Sequence, residues 1–312
     1  MYDIKKIIVA LDLSNHDRFL IKYILKGLKH NDKLEDVYFL HIVRDYQSPK
    51  LKERFPETDS PIDEQIKTKI NQEIKEFGED QFPGNIHVEV HEGDVAKTIL
   101  KWAEIKNADL IVLGKKYDRK HIEETPKYIT KLAKCSVLIV PDHNPPTNID
   151  KIVVAIDFSD LSAHAIKQAI AVSNMIGQFT GQGPKLQLVN VYEVPSGYHT
   201  TGKSFEEFGD IIKENHKKEY AKFIKKNNLD EASFPCDFLL DEHSNTSKRI
   251  ALYAKETHAR GIVIGSKGRT HLASMLLGSV AENLLSYNHE IPFAVIKDKT
   301  DNYDFFDAIM RL

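Results

Sequence analysis

The residues most suited to chemistry lie in one stretch of the second half: Gly265-Ser266-Lys267-Gly268, nine further residues, then Gly278-Ser279. Gly265 leaves an apolar run where the backbone must turn. Gly265 and Gly268 have no Cβ, so an oxyanion can come close to main-chain N–H groups there. Gly278-Ser279 opens an amphipathic helical pattern, whose free N–H groups and positive dipole end suit an anion, and the Ser279 hydroxyl adds a donor. Lys267 and Arg269 either add positive charge to this loop or point to solvent. A glycine pair after a strand is also what a plain tight turn would use. The full spacing, ending on a helix start, points instead to a phosphate-holding loop. It is neither of the two common phosphate loops: no Gly-Lys-Ser/Thr follows, and Gly-x-Gly-x-x-Gly is absent after the first strand of each half.

The elements that must position this loop occur twice. Lys6-Ile7-Ile8-Val9-Ala10-Leu11-Asp12-Leu13-Ser14 returns as Lys151-Ile152-Val153-Val154-Ala155-Ile156-Asp157-Phe158-Ser159. The segments from Ala108 to Lys116 and from Ala259 to Lys267 also match, as do Val137–Val140 and Phe293–Ile296. The unit is too long for a solenoid and reads as a duplicated domain. The linker, Pro141 to Asn148, holds three prolines and two asparagines, which suit neither a strand nor a helix. The expected domains are 1–146 and 147–298, followed by a tail, 299–312, in which Phe305, Phe306, Ile309 and Met310 share one face of a short helix.

Each half alternates strands and helices. The first strand is a continuous apolar run, as in a parallel sheet covered on both faces. Ser14 and Ser159 are placed to cap the next helix. Further strands are expected at Val37–Val43, Ile86–Val90, Leu186–Val191 and Asp237–Leu240, with charged helices at Ile62–Phe77 and Phe205–Asn227. This pattern implies two tandem five-stranded parallel-sheet α/β sandwiches. In such sheets a ligand binds beyond the carboxyl ends of the strands, where strand order reverses.

Composition narrows the function classes. The 312 residues include 43 basic and 46 acidic, giving a net charge of −3. The two signs are mixed along the chain, so neither a nucleic-acid-binding arm nor a polybasic membrane anchor is expected. The pairs Lys115–Lys116 and Lys217–Lys218 read as solvated faces. Cys135 and Cys236 have no partner at metal or redox spacing and read as reduced thiols. No leader pattern opens the sequence and no apolar run approaches the ~18 residues of a membrane span, so a cytoplasmic protein is expected. His87 and His91 are four apart on a strand, and no further ligand completes a metal site there.

The Gly-x2-Gly-x9-Gly-Ser loop, together with a first strand ending Val154-Ala155-Ile156-Asp157-Phe158-Ser159, resembles the universal stress protein family. The resemblance covers nearly all of residues 1–298 as two copies. It implies a Rossmann-like, adenine nucleotide alpha hydrolase-like fold that binds ATP, or AMP or ADP, and it allows magnesium with the nucleotide. By position, Asp157 would contact the ribose or adenosine side, and Val191 would face adenine through its main chain. Gly265, Gly268, Gly278 and Ser279 would hold the phosphates. Many single-domain members resemble dimers paired through their last strands. A tandem chain would make that pairing internal, as a pseudo-dimer through Val137–Val140 and Phe293–Ile296. A further homodimer of whole chains is compatible with this.

The first half departs from the pattern. After Gly114 there is no glycine before Cys135, Tyr117 stands where Gly268 does, and Glu123 and Glu124 add negative charge. The segment is also shorter, 21 positions from Gly114 to Cys135 against 26 from Gly265 to Ile291. Asp12 and Ile42 remain at the adenosine-side positions. One nucleotide site is therefore expected, in the second domain, in a stress-response or signalling protein. The alternatives are a slow ATP hydrolase and a ligand-free dimerisation scaffold. Catalysis beyond slow hydrolysis finds no support, since Ser-Gly-Gly-x-Asp-Ser and His-x-Gly-His are absent and no general base is evident. A receiver-like phospho-acceptor, suggested by Asp157 and Asp160, ranks last because its acidic residues would have to sit on two strands. Pro195–Ser204, with His199 and Lys203, reads as a mobile loop or a lid near the ligand edge.

Overall fold

A computed structural model describes residues 4–56, 60–78, 82–116, 124–142, 149–268 and 277–299. Tyr117, Glu123, Arg269, most of the proline-rich linker and the tail from Thr300 lie outside these, so the readings made on them are not addressed below. The chain forms two compact units, divided between Thr147 and Asn148, the second ending at Lys297.

The first unit runs β1 (Lys6–Leu11), α1 (Asn15–Gly27), β2 (Asp36–Val43), α2 (Pro49–Arg54), α3 (Ile62–Glu76), β3 (Asn85–Glu92), α4 (Val95–Ile105), β4 (Leu110–Lys115), α5 (Glu124–Leu132) and β5 (Ser136–Pro141). Its strands are parallel, in the order β3-β2-β1-β4-β5. Ile7, Ile8 and Val9 of β1 are fully buried, as expected for a central strand covered on both faces. The α3 helix buries Ile66, Ile70 and Ile74, a four-residue spacing that puts all three on one face against the core. Each such side chain stabilises the fold by about 1.5–3 kcal/mol relative to exposure.

The second unit repeats this with β6 (Lys151–Ala155), α6 (Asp160–Thr180), β7 (Lys185–Tyr192), α7 (Phe205–Lys226), β8 (Cys236–Leu240), α8 (Thr246–Glu256), β9 (Gly261–Gly265), α9 (Ser279–Tyr287) and β10 (Phe293–Ile296). The parallel order is β8-β7-β6-β9-β10. Lys6 pairs with Asp36 and Ile7 with Leu110; correspondingly, Lys151 pairs with Lys185 and Ile152 with Gly261. In each unit strand order reverses between the first and fourth strands. Two elements were not read from sequence: α2, and a 3-10 turn at Tyr198–Thr201 within the stretch taken for a loop. Among the described residues no helix is long and apolar enough to cross a membrane.

Both expected serine caps form: Ser14 accepts from the His16 N–H, and Ser159 from the Ser162 N–H. The residue just before each cap is bulky yet left-handed, Leu13 at φ 61° and Phe158 at φ 68°. Helices α4 and α8 end alike, at Asn107 (φ 50°) and His258 (φ 55°). At His258 the N–H groups of His258 and Ala259 donate to the Lys255 and Ala254 carbonyls, a left-handed helix stop that glycine adopts without strain. His258 is exposed. His258→Gly is expected to raise stability by about 0.5–1 kcal/mol, read as a higher midpoint in chemical denaturation.

Candidate functional site

The carboxyl edge of the second unit is organised by the turn from β6 into α6. Ser162 Oγ accepts from the Asp157 N–H at 3.0 Å and donates to Asp157 Oδ1 at 2.6 Å. The Ser159 N–H donates to the same oxygen at 3.1 Å. These bonds fix Asp157 Oδ1, and the other oxygen lies against the glycine loop: a Cβ on Gly268 would come within 2.6 Å of Asp157 Oδ2. Asp157 is thus a turn former and a site residue at once.

Strand β9 brings the loop in from the other side of the strand-order reversal. The Ser266 N–H donates to the Ile296 carbonyl, and the Gly278 N–H to the Ser266 carbonyl at 2.7 Å. The loop's two ends are therefore tied together beside Gly268. Gly278 is the N-cap of α9 and offers it no side-chain acceptor. The first-turn N–H groups of α9 thus receive no cap from the N-cap residue, which suits an anion.

On the opposite side, Asn190 in β7 is buried and donates from Nδ2 to the Ile156 carbonyl at 2.9 Å, while His216 Nδ1 lies 2.7 Å from Asn190 Oδ1. This network joins the end of β6 to β7 and α7. Val189 and Val191 flank Asn190 on the other face of the strand.

These elements enclose a cavity of about 350 Å³ that Asp157, Val191, Gly265, Gly268, Gly278 and Ser279 all line. The six residues singled out from the sequence are thereby brought together, on a scale that fits a small-molecule ligand. Its apolar wall includes Val189, Ile250 and Ile264; its polar rim is Asp157, Lys267 and the start of α9. Ser162, Thr246 and Ile250 were not anticipated. Thr246 and Ile250 belong to α8, whose cap, Asn245, accepts from the Lys248 N–H; that cap was the one available signal.

The first unit keeps the backbone and changes the side chains. Asp17 stands in the place of Ser162, its carboxylate accepting from the Asp12 N–H at 3.1 Å and the Leu13 N–H at 2.6 Å. Lys116 forms an ion pair with Asp12. Burial raises the Asp12 pKa, but hydrogen bonds from Lys116 and Ser14 outweigh it and hold the carboxyl below its ordinary value. Glu124 lies in the first described turn of α5, as Ser279 does in α9, so a carboxylate stands there in place of a hydroxyl. Among the described residues no group of three or more His, Cys, Asp or Glu could hold a metal ion.

With this geometry established, comparison with known proteins is informative. The model of the Universal stress protein family matches residues 3–141 and again 148–297. The chain is 31% identical over 147 residues to Universal stress protein MJ0531 of Methanocaldococcus jannaschii, covering 47% of this chain and 81% of that one. A functionally unknown protein, PA1789 from Pseudomonas aeruginosa, has the same fold across both units. Its TM-score is 0.66 at 15% identity, with 99% of this chain and 98% of that chain covered. A universal stress protein from Archaeoglobus fulgidus gives a TM-score of 0.59 at 19% identity, with 95% and 97% covered.

The anchoring of Asp157 makes Ser162→Ala a direct test of the turn. The substitution removes a donor to a carboxylate and an acceptor for a main-chain N–H together. An expected loss of about 1–3 kcal/mol would appear as a lower denaturation midpoint with an unchanged slope.

Proposed function

The chain belongs to the universal stress protein family, and from that premise we propose that its second unit binds an adenine nucleotide, ATP first, with AMP or ADP as alternatives. The observation that carries this is the convergence of Asp157, Val191, Gly265, Gly268, Gly278 and Ser279 on one cavity at the strand-order reversal. In this reading the adenine lies against the apolar wall beside Val191 and Ile250, and its edge meets the main chain at the end of β7. The carboxylate of Asp157 accepts from ribose hydroxyls. The phosphates lie against the N–H groups of Gly268 and the first turn of α9, with the Ser279 hydroxyl as a further donor and Lys267 as a nearby positive charge.

Each part of this assignment has a physical basis. Preorganised N–H groups and a helix N-terminus stabilise phosphate charge without reorganising. A small apolar slot with a few fixed polar groups orients a planar base. Magnesium accompanying the nucleotide would draw most of its ligands from phosphate oxygens and water, since the described residues hold no cluster of three or more His, Cys, Asp or Glu. The site binds and orients; it supplies no evident base for attack on a γ-phosphate, so turnover would be slow at most. The protein then acts in stress response or signalling through its nucleotide-bound state, in the cytoplasm.

Calorimetric titration of the whole chain with ATP tests the assignment. One nucleotide per chain is expected, and two would contradict a single site. Gly268→Tyr, which puts the first half's residue type into the loop, should weaken binding at least about tenfold, or about 1.4 kcal/mol. Equal affinity in a variant that melts like the native chain would remove Gly268 from the site.

A further inference from the structure

Three pairs of corresponding residues set the two carboxyl edges apart. Asp17 receives the Asp12 N–H as Ser162 receives the Asp157 N–H. His16 packs against Gly114 as Leu161 packs against Gly265, each meeting the Cβ that the glycine lacks. His41 Nδ1 lies 2.9 Å from the Leu11 carbonyl, the place held by Asn190 on the Ile156 carbonyl at the same distance. At every one of these positions the second unit has a neutral side chain and the first an ionisable one. All three of the first unit's groups are buried.

We propose that the first unit's counterpart of the nucleotide site is a proton-binding site, in which the buried Asp17 carboxyl, seated on the Asp12 and Leu13 N–H groups, holds a proton next to the charged Asp12, whose outer side Lys116 closes. This does not depend on what the second unit binds. A carboxyl buried beside a charged one ionises only at a cost, so the buried member of the two keeps its proton to higher pH. Asp12 is half-exposed, accepts from the Ser14 N–H and is paired with Lys116, so it carries the charge. Asp17 is 4% exposed, inside the first turn of α1. Burial, and then the charge of Asp12, push its carboxyl up to about 7, against the pull of its two main-chain donors.

The remaining groups from each neighbouring element leave this balance in place. Burial pushes both His16 on α1 and His41 on β2 below the ordinary histidine value, so they stay uncharged at neutral pH. His16 Nε2 lies 3.2 Å from the Val140 carbonyl, which leaves Nδ1 buried with no partner among the described residues. Arg54 at the end of α2 donates to the Leu13 carbonyl at 2.5 Å and so braces the turn itself. Lys115 ends β4 with Lys116 just after it, and Asp142 follows β5, where it acts on His16. Loss of the Asp17 proton therefore places a second negative charge beside Asp12, at a turn already holding Leu13 left-handed. Because the folded pKa of Asp17 lies above the unfolded one, its contribution to stability is fully present below about pH 4. That contribution is lost as pH rises through about 7.

Carboxyl-carbon NMR of the full chain between pH 4 and 9 reads this site directly. One Asp signal titrating with a midpoint between about pH 6 and 8 is expected, and it should be missing in Asp17→Ser, which copies the second unit. Asp17→Asn, which keeps an acceptor for the turn, should lack it too and should melt at least as high as the native chain at pH 8. Every Asp signal titrating below about pH 5 in the native chain would overturn the proposal. So would a midpoint near neutrality that survives in both variants.

Discussion

The structure depends on a passage of three or four residues from the central strand of each unit into its following helix. A strand and a helix meet there with no loop between them, so one residue must take a left-handed conformation. The chain places Leu13 and Phe158 at that point, at a cost of about 1 kcal/mol or more apiece. The passage holds because it is over-determined. A serine caps the helix, an Asp closes back on the serine N–H, and the residue five positions after that Asp receives the Asp N–H. The same bonds that offset the strain aim an Asp carboxylate across the strand-order reversal. Whatever the edge of either unit does, it does with a carboxylate that the turn has already positioned.

The duplication then works as an internal comparison. Both units keep the strand order, the capped helix and the left-handed residue, so the backbone alone cannot account for a difference in function. The difference lies in what the carboxylate faces. In the second unit, Asp157 Oδ2 faces Gly268, and α9 starts from a glycine N-cap. In the first, Asp12 is paired with Lys116, and the first described turn of α5 holds Glu124. An anionic ligand would meet a glycine loop at one edge, and at the other a helix whose first turn carries a carboxylate. The first unit's Asp has its charge satisfied from within the chain, which fits a structural or proton-linked role better than capture of an anion.

Much of the fold was legible because it rests on periodicity and capping, which are properties of local sequence. The apolar runs, the two serine caps and the strand at Phe293–Ile296 stand where their pattern puts them, and other strand ends differ by one or two residues. The candidate site was legible only where it used residue types with few other reasons to recur at such spacing: the glycines, Ser279 and Asp157. Thr246 and Ile250 were not, because an apolar wall is made of the same residues as any core. Ser162 was hidden for a related reason, since a serine in the first turn of a helix is ordinary. The left-handed Leu13 and Phe158 ran against expectation, because bulky residues rarely adopt that conformation and only tertiary bonding compels them to.

The repeat also separates two reasons for a glycine that a single copy would confound. Gly114 is present in the first unit, where the glycine loop is absent from the sequence that follows. A Cβ there would come within 2.6 Å of the His16 ring, and at Gly265 within about 3.1–3.3 Å of Leu161 side-chain and main-chain atoms. Both glycines are therefore required by the close approach of the first helix to the end of the fourth strand, whether or not a ligand binds. Gly268 and Gly278 are different. Neither has a glycine counterpart in the first half, and a Cβ at either would press on Asp157 or on the loop's own backbone. Gly265 shapes the floor of the cavity by letting α6 approach. Gly268 and Gly278 are held to glycine by the second unit's own turn and loop, which the first half does not repeat.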